Sequence, residues 1–384
     1  MRFEFATVTR IIFGPGAVRE VAPAAKVLGR RALLVTGRSS ERSAGIVAQL
    51  ESAGVSCACF PVPEEPTIAL VRQGQRFGRA ERCDLVIGFG GGSALDAAKA
   101  IAALLTNARD VMDYLEIIGA GQALNAPGAP FIAIPTTAGT GTEVTRNAVL
   151  GSPEDRVKVS LRSSFLLARL AVVDPELTYD LPPAITARTG LDALTQLIEP
   201  YVCNRANPLT DGCCQEGMTR VARSLRRAYH EGCNIEARTG MSLASLLGGL
   251  ALANAGLGVV HGFAAPVGGM FPAPHGAVCA ALLPHGMDVN IRALRIRAAG
   301  SEKLCRYETV ARILTGKADP SVEEGVKWVS ELCRELEIPP LRAYGITPDD
   351  IPTLAEKASQ ASSMKANPIV LTADELREVL TRAL

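Results

Sequence analysis

The segment DLVIGFGGGSALDAAKA, residues 84–100, joins a short apolar run to three glycines and an alanine-rich stretch. This pattern predicts a buried strand that ends in a tight turn and continues into a helix. Glycine allows close backbone approach to a ligand, and the N–H groups of a helix start attract phosphate. We therefore predict an anion-binding turn in which the glycines take positive φ and the serine caps the helix; a turn without a ligand is the alternative. The turn consists of Gly90, Gly91, Gly92 and Ser93.

Strands and helices are predicted to alternate around this segment, which favours βαβ units and a parallel sheet. The second of the predicted helices would be capped by Ser39 or Ser40. A hydroxyl-rich loop at 136–145 follows the strand FIAIP and offers several donors to a phosphate or ribose. The predicted strands are 31–36, 55–62, 84–88, 131–135 and one within 168–177, and the predicted helices are 17–28, 39–54 and 68–82.

The sequence pattern changes near the LPP sequence at 181–183. From Ala184 onward, long Ala/Leu-rich segments have helical periodicity and the strand patterns disappear. The length of 384 residues also exceeds the about 250–300 residues that one core supports. We therefore expect an α/β domain over residues 1–181 and an all-α domain over residues 182–384.

The charge balance argues against nucleic acid and membrane surfaces as partners. Lys and Arg number 40 against 39 Asp and Glu, the net charge is +1, and no basic stripe breaks the balance. The N-terminus lacks the pattern of a signal peptide, and no apolar run reaches the ~18 residues that span a bilayer. Ten scattered cysteines indicate reduced thiols, most of them small core hydrophobes, in a cytoplasmic protein.

Three of the four histidines, His261, His275 and His285, lie within residues 256–285. Their neighbours are glycine, proline and small apolar residues, which exclude water and suit a buried polar site. Neutral imidazole is the commonest metal ligand and the usual acid or base near neutral pH. Core histidines with satisfied hydrogen bonds are the alternative interpretation.

A helix near the start of the all-α domain carries the polar partners that such a site needs. Asp192 and Gln196 are four residues apart and share one helix face, with Glu199 one turn later. An aspartate on an apolar helix face is costly to bury unpaired, so it needs a metal, a cation or a backbone partner. Together with His261 and His275, these oxygen ligands would form a mixed set for a divalent metal.

Six motifs occur in a fixed order along the chain. They resemble the iron-containing (group III) alcohol dehydrogenase family, which includes the maleylacetate reductases and is distantly similar to glycerol dehydrogenase and dehydroquinate synthase. The resemblance covers nearly the whole chain and implies a Rossmann-like dinucleotide-binding α/β domain followed by an all-α domain, a dehydroquinate synthase-like architecture. The motifs are FGPGA at 13–17, GGGSALDAAKA at 90–100, PTTAGTGTEVT at 135–145, VDPEL at 173–177, GLDALTQLIE at 190–199 and VHGFAAPVGG…PHG at 260–276.

The resemblance implies a homodimeric enzyme that transfers a hydride between NAD(P)H and a small alcohol/carbonyl pair. A divalent metal, Fe²⁺ or Zn²⁺, would polarise the substrate oxygen; without it, a protonated His261 or His275 would stabilise the developing alkoxide. The implied metal ligands are Asp192, Gln196, His261 and His275. The implied cofactor-binding residues are Gly37, Arg38, Gly90, Gly91, Gly92, Ser93, Asp96, Thr136, Thr137, Thr140, Lys158 and Leu177.

The chain departs from the family pattern at two positions of the metal site. Gln196 stands where the family has a histidine ligand, and its amide oxygen is a weaker ligand than imidazole. Ala265 replaces a further histidine that lines the site near the nicotinamide in many members. The alternatives are a weakly bound metal, a metal-independent enzyme of the maleylacetate reductase type, and a catalytically inactive NAD(P)-binding homologue.

A third departure concerns the cofactor. Many NAD-using members have an aspartate after the first Rossmann-like strand, where it binds the ribose 2′-hydroxyl; this chain has Gly37 and then Arg38. Loss of the carboxylate removes its repulsion of a 2′-phosphate, and Arg38 could pair with that phosphate. Alternatively, Arg38 points to solvent and NAD still binds through its pyrophosphate.

Overall fold

The protein is described by a computed structural model over residues 2–38 and 41–384, and these residues form two compact units. The main division lies between Tyr179 and Asp180, close to the predicted boundary at residue 181. One short loop segment, Ala138–Thr140, belongs to the second unit although it lies in the N-terminal half of the sequence. The α/β unit consists of Ala6–Thr137 and Gly141–Tyr179, and the helical unit of Met1–Phe5, Ala138–Thr140 and Asp180–Leu384.

The α/β unit contains a parallel sheet, as the sequence predicts. The structure gives its strand order as β1-β8-β5-β4-β2-β3. Strands β4 and β5 are buried along their whole length, because a parallel sheet is covered on both faces. Strands β6 and β7 form a separate antiparallel pair. The strands are β1 (Ile11–Phe13), β2 (Arg31–Thr36), β3 (Ser56–Pro61), β4 (Leu85–Gly90), β5 (Phe131–Pro135), β6 (Asn147–Ser152), β7 (Val157–Arg162) and β8 (Leu170–Val173).

The predicted helices of this unit are present with shorter ends. The helix predicted at 17–28 begins as a 3₁₀ turn and becomes α-helical at Val21. The predicted caps of the next helix, Ser39 and Ser40, lie outside the described residues. The helices are α1 (Val21–Leu28), α2 (Ala44–Ser52), α3 (Ile68–Ala80), α4 (Gly92–Thr106) and α5 (Val111–Tyr114).

The direction of the strand order reverses between β2 and β4. From β2 the chain continues to β3 on one side, whereas from β4 it continues to β5 on the other side. At such a switch point the connections leave in opposite directions and open a crevice at the carboxyl ends of the strands, where α/β sheets bind ligands. Because β2 runs into Gly37 and β4 ends at Gly90, both predicted cofactor segments lie at this position.

The helical unit packs around α6, Pro183–Val202, whose residues from Gly190 to Val202 are all buried. Helices α7, α8 and α10 pack against it, which explains why apolar residues occur on most of its sides. The remaining helices are α7 (Pro208–His230), α8 (Ile235–Asn254), α9 (Val259–Met270), α10 (His275–Arg297), α11 (Glu302–Thr315), α12 (Val322–Glu335), α13 (Ile351–Gln360) and α14 (Ala373–Ala383).

Within the described ranges, no helix taken singly has both the length and the apolar composition needed to cross a membrane. Helices α8 and α9 meet these two criteria only as a pair, and they are bent by 96° at the break between them. Both helices bury many of their side chains in the helical unit.

Candidate functional site

The glycine turn between β4 and α4 differs from the sequence prediction in two respects. Gly91 is the residue that precedes the first turn of α4 and Ser93 lies inside the helix, so the prediction that Ser93 caps it is wrong. None of the three glycines has a positive φ, and Gly91 is extended at φ −75° and ψ −173°. The predicted positive φ is therefore also wrong, because the strand runs into the helix without a left-handed residue.

Close packing, rather than backbone conformation, explains Gly90 and Gly91. A Cβ at Gly90 would lie 2.7 Å from Cβ of Ala94 and 3.3 Å from the backbone nitrogen of Gly37. A Cβ at Gly91 would lie 3.3 Å from Oγ1 of Thr137. The turn thus lies against Gly37 at the end of β2 and against Thr137 of the hydroxyl-rich loop. Because Gly91 has no side chain, the first N–H groups of α4 remain accessible to an anion.

Gly37 and Arg38 follow β2 at the same edge of the sheet. A Cβ at Gly37 would meet no atom of the described residues within 4 Å, so a larger side chain fits there. The Arg38 side chain is 77% exposed, donates from Nε to the carbonyl of Pro63 at 3.3 Å and lies 3.9 Å from the carboxylate of Glu64. An exposed ion pair at this distance is weak, so a phosphate could replace Glu64 as the partner of Arg38.

Asp96, a predicted cofactor residue on α4, is bound to other parts of the α/β unit. Its Oδ1 accepts a hydrogen bond from Oγ1 of Thr142 at 2.5 Å, and its Oδ2 accepts one from the backbone N–H of Val149 at 3.1 Å. The two oxygens therefore fix the end of the hydroxyl-rich loop at 136–145 and strand β6, which follows it. In the structure, Asp96 is a positioning residue for that loop.

Lys99, one turn after Asp96, was missed as a functional residue by the sequence analysis. Its ammonium group is buried and donates to Oγ1 of Thr142 at 2.6 Å, Oγ1 of Thr145 at 2.7 Å and the carbonyl of Asn147 at 2.8 Å. Burial lowers the pKa of Lys99, against the attraction of Asp96. We call Lys99 with these oxygen partners the lysine cluster; it holds the loop 142–147 to α4.

The predicted threonines of the cofactor site belong to different units. The N–H of Thr136 donates to the carbonyl of Gly90 at 2.9 Å, and Thr137 lies beside Gly91, so the structure brings both to the glycine turn. Thr140 belongs to the segment Ala138–Thr140 of the helical unit.

The last two predicted cofactor residues have partners elsewhere in the α/β unit. Lys158 is mostly buried and forms an ion pair with Glu65. The carbonyl of Leu177 accepts a hydrogen bond from Nη2 of Arg42 at 2.8 Å. These described contacts do not involve the glycine turn, so the roles of Lys158 and Leu177 remain predictions.

Four side chains of the helical unit converge on one point: Asp192 on α6, His261 on α9, and His275 and Cys279 on α10. One ligand atom from each lies within 4.8 Å of the ligand atoms of the others. Oδ1 of Asp192 is 3.6 Å from Nε2 of His261 and 3.5 Å from Nε2 of His275. We call these four residues the Asp–His–Cys cluster. It contains three of the four predicted metal ligands and one residue, Cys279, that the sequence analysis missed.

Helix α10 begins close to α6 because its second residue is glycine. A Cβ at Gly276 would lie 2.5 Å from the carbonyl of Arg188 and 3.4 Å from Cβ of Asp192. His275 is the first residue of α10, and Cys279 follows one turn later on the same face. The side chain of His275 is 35% exposed, whereas Cys279 is fully buried.

Glu199, one helical turn beyond Gln196, orients His261. Its Oε2 lies 2.7 Å from Nδ1 of His261, and its Oε1 accepts the backbone N–H of Val260 at 2.7 Å. The carboxylate therefore holds the start of α9 and accepts a hydrogen bond from Nδ1–H of His261, which leaves Nε2 of His261 directed to the cluster. The sequence placed Glu199 near the site, and the structure adds this contact.

Asp192 and Gln196 each have one buried oxygen, Oδ1 and Oε1, without a hydrogen-bond partner among the residues that the structure describes. Nε2 of Gln196 donates to the carbonyl of Gly139 at 3.4 Å. A buried unpaired oxygen costs about 1–3 kcal/mol, so it marks a place where a donor or a cation would be stabilised.

His285 is separate from the Asp–His–Cys cluster. It lies ten residues after His275 on the same helix, a rise of about 15 Å along the axis. Burial and the nearby charge of Arg382 lower its pKa to about 4. The two histidines that were predicted as metal ligands, His261 and His275, are therefore the two that the cluster contains.

Comparison with known proteins assigns both halves of the chain to one family. The family model described as iron-containing alcohol dehydrogenase matches residues 8–175. The model described as the C-terminal part of the Fe-containing alcohol dehydrogenase family matches residues 186–384. The chain belongs to the iron-containing alcohol dehydrogenase family.

Relatives of the family match the chain over nearly its whole length. Alcohol dehydrogenase 4 of Saccharomyces cerevisiae (strain YJM789) is 36% identical over 97% of this chain and 96% of the relative. The crystal structure of a 1,3-propanediol oxidoreductase has a TM-score of 0.93 and 33% identity, covering 100% of both chains. Sulfoacetaldehyde reductase from Bifidobacterium kashiwanohense, solved with NAD⁺, has a TM-score of 0.87 and 28% identity, covering 100% of this chain and 99% of that chain.

The fold, the oxidoreductase class and the cofactor classes predicted from the sequence are confirmed by this membership. The chain is an alcohol dehydrogenase of the iron-containing family, and the family uses NAD(H) and a metal. Carboxylate and imidazole are ordinary ligands of first-row divalent metals. Oδ1 of Asp192, which has no hydrogen-bond partner among the described residues, lies 3.5 and 3.6 Å from the two imidazoles. The donor set of this dehydrogenase therefore fits such a metal.

The charges of the Asp–His–Cys cluster support one another. Burial opposes ionisation of Asp192 and Cys279, but the two histidines outweigh it and lower the pKa of both acids. Burial also opposes protonation of the histidines, but Cys279 and Asp192 outweigh it, so the pKa of His261 lies well above its ordinary value and that of His275 is raised. The imidazoles therefore favour the ionised forms of the two acids, and the two acids favour the protonated forms of the imidazoles.

Proposed function

We propose that this dehydrogenase interconverts a small alcohol and its aldehyde or ketone, with the cofactor at the glycine turn and a divalent metal on Asp192, His261 and His275. The observation that carries the proposal is the buried Oδ1 of Asp192, which lacks a hydrogen-bond partner in the described part of the chain and lies 3.5 and 3.6 Å from two imidazole nitrogens. Its desolvation is offset when a cation binds between these atoms.

A divalent metal bound there supplies a Lewis acid for the oxygen of the substrate. Glu199 keeps Nε2 of His261 directed toward the cluster, and Asp192 contributes the negative charge. His275 is the partly exposed member, so it is the one through which a substrate oxygen or a solvent proton gains access. If the site works without a metal, a protonated His275 is accordingly the better donor to the developing alkoxide than the enclosed His261.

Gln196 would be a weak additional ligand or a hydrogen-bond partner in this site. Its buried Oε1 has no hydrogen-bond partner within the described ranges, and its Nε2 bond to Gly139 is long. An amide oxygen is a poorer ligand than imidazole for Zn²⁺ or Fe²⁺. We therefore expect Gln196→His to raise the affinity for these ions.

The decisive experiment measures metal and turnover together. The purified protein is analysed for metal content, dialysed against a chelator and assayed with NADH and NADPH against a panel of small aldehydes and ketones. Loss of turnover with the metal, and its return with Zn²⁺ or Fe²⁺, supports the proposal. Full turnover after dialysis indicates a metal-independent enzyme of the maleylacetate reductase type. No turnover in any condition, with intact cofactor binding, indicates an inactive homologue.

The cofactor part of the proposal rests on the glycine turn and on Gly37. Gly91→Val would place a branched side chain against Thr137 and over the helix start, so NAD(P)H affinity by fluorescence titration should fall greatly. Gly37→Asp fits the open space at that position and should shift preference from NADPH towards NADH by about 1–3 kcal/mol, because its carboxylate repels a 2′-phosphate. Unchanged NAD(P)H affinity in Gly91→Val would contradict the assignment of the glycine turn. Unchanged cofactor preference in Gly37→Asp would contradict the assignment of Gly37.

We also propose that the enzyme is a homodimer that works in the cytoplasm without nucleic acid or membrane partners. Ten free cysteines support a reducing compartment. Light scattering coupled to size exclusion tests the dimer, and a monomeric mass would contradict it. Fractionation of the native host tests the compartment.

A further inference from the structure

Cys279 is the one member of the Asp–His–Cys cluster that the proposed function leaves without a role. It is fully buried on α10, one turn after His275. Its Sγ lies 3.7 Å from Nε2 of His275 and 3.9 Å from Nε2 of His261. Cys279 and Cys214 both belong to the apolar core of the helical unit, but the thiol of Cys279 also lies beside two imidazoles and a carboxylate, which are ligand-type groups.

The spacing of the four ligand atoms resembles that of a tetrahedral metal shell. Zinc bonds of about 2.0–2.3 Å place neighbouring ligand atoms of a tetrahedron about 3.3–3.8 Å apart. In the cluster, four of these separations are 3.5, 3.6, 3.7 and 3.9 Å. The two distances to Oδ1 of Asp192 are longer than the about 2.7–3.2 Å of most N–H···O hydrogen bonds, so hydrogen bonding explains them less well. The two distances to Sγ of Cys279 lie within the range of hydrogen bonds to sulfur and place the thiol at the same point.

We propose that the Cys279 thiolate is a metal ligand that completes the shell of Asp192, His261 and His275, and that the site therefore selects Zn²⁺ over harder divalent ions. The inference rests on the proposed function, since it concerns the same metal site. Thiolate is a soft ligand that favours zinc over oxygen-preferring ions such as Mn²⁺. Helix α10 thus supplies the strong fourth donor that Gln196 on α6 does not.

Cobalt spectroscopy tests this bond without relying on activity. The chelator-treated protein is titrated with Co²⁺, whose bond to a thiolate gives an intense charge-transfer absorption in the near ultraviolet. Wild type should show this absorption, and Cys279→Ser should lose it while keeping the weaker visible bands of cobalt on carboxylate and imidazole. In competition with a chromophoric chelator, Cys279→Ser should bind Zn²⁺ about tenfold or more weakly and Mn²⁺ less than about threefold more weakly.

Cys333→Ser is the matched control. Cys333 lies on α12 and its Sγ donates to the carbonyl of Ala280, the residue next to Cys279, at 3.4 Å. Serine keeps a donor at that position, so the cobalt spectrum and the Zn²⁺ affinity should remain those of wild type. If Cys279→Ser does not fold, Cys279→Ala leaves a small apolar side chain in the same buried position and tests the same absorption.

The outcomes separate this inference from the proposed function. Cobalt binding by wild type without the charge-transfer absorption, or the same absorption in the Cys279 variants, overturns the role of Cys279 and leaves the metal site standing. Loss of the absorption in Cys333→Ser would identify Cys333 as the source of the thiolate, and this result also overturns the role of Cys279. Absence of any metal binding by wild type overturns the proposed metal site together with this inference.

Discussion

Two buried charged clusters, one in each unit, differ in whether their polar atoms are hydrogen-bonded. In the lysine cluster of the α/β unit, the Lys99 ammonium donates at 2.6–2.8 Å to two hydroxyls and a carbonyl. In the Asp–His–Cys cluster of the helical unit, Oδ1 of Asp192 lacks a hydrogen-bond partner in the part of the chain that is described, and the nearest imidazole nitrogens are 3.5 and 3.6 Å away.

This difference distinguishes a structural charge from a binding site. A buried charge with short bonds to several partners stabilises the segments that provide them, because its removal leaves those partners unpaired. A buried charge without such partners costs folding free energy until a ligand supplies them. The lysine cluster should therefore respond to mutation in stability, and the Asp–His–Cys cluster should respond in ligand affinity.

The largest expected effect is loss of stability in Lys99→Met. The variant fills a similar volume but leaves the oxygens of Thr142, Thr145 and Asn147 without their shared donor, so unfolding should become easier by about 3–5 kcal/mol. Denaturant unfolding of the α/β unit measures the change. Lys26→Met, at an exposed position of α1 in the same unit, is the control and should stay within about 0.5 kcal/mol of wild type. Equal losses of stability in the two variants would contradict the structural role assigned to Lys99.

The second effect is loss of metal-dependent stabilisation in Asp192→Asn. Wild type should gain about 2.7 kcal/mol when Zn²⁺ is present at about 100 times its Kd. The variant keeps the volume of Asp192 but lacks its charge, so it should gain almost nothing. Thermal unfolding with and without Zn²⁺ measures both gains. A stabilisation that persists in the variant would place the metal elsewhere.

The third effect is a weaker metal site in Glu199→Gln. The amide no longer provides a carboxylate for Nδ1 of His261, and groups that orient metal-bound histidines contribute about 10–100-fold in metal affinity. Zn²⁺ affinity measured by chelator competition should fall within that range. Glu335→Gln removes a carboxylate from His230, an exposed histidine of the same unit, and should leave the affinity unchanged. Equal losses in both variants would show that Glu199 acts only through general stability.

The smallest effect concerns the pH dependence near the lysine cluster. Burial raises the pKa of Glu143 from 4.5 to about 7. Because the folded pKa lies above the unfolded one, Glu143 opposes folding increasingly as pH rises through this range, and fully above pH 7. Glu143→Gln removes that opposition but also the attraction to Lys99, so its net gain at pH 8 should be about 1 kcal/mol and should vanish near pH 4. A difference from wild type that does not change with pH would contradict this assignment.

Local patterns predicted the parallel sheet and the glycine turn and made Asp192, His261 and His275 candidate ligands, whereas their membership of one metal site was implied by the family resemblance. Strand and helix patterns, and the spacing of Asp192 and Gln196, depend on neighbours in sequence and so could be derived from it. The cap of α4 was misplaced by the assumption that a hydroxyl is needed there, whereas Gly91 occupies the cap position and the helix begins at Gly92. Cys279 was overlooked because scattered cysteines are usually small core residues, although its position one turn after His275 was a usable signal.

Long-range contacts account for the other omission. The partners of Lys99 lie more than 40 residues away, on a loop whose position depends on the whole sheet. Only tertiary packing decides whether a lysine in an alanine-rich helix faces solvent or, as Lys99 does, the interior.

The segment Ala138–Thr140 belongs to the helical unit although it lies in the N-terminal half of the sequence, and this affects both folding during synthesis and truncation of the protein. The chain passes from one unit to the other after Phe5, Thr137, Thr140 and Tyr179. Gly139 packs so closely on α6 that a Cβ there would lie 2.8 Å from Cβ of Thr189, and its carbonyl accepts from Gln196. A C-terminal fragment that begins at Asp180 therefore lacks residues 138–140, which pack on α6 of the same unit. During synthesis, residues 138–140 leave the ribosome before α6 has been made. This loop can therefore take its final position, and the helical unit can complete its packing, only after α6 has formed.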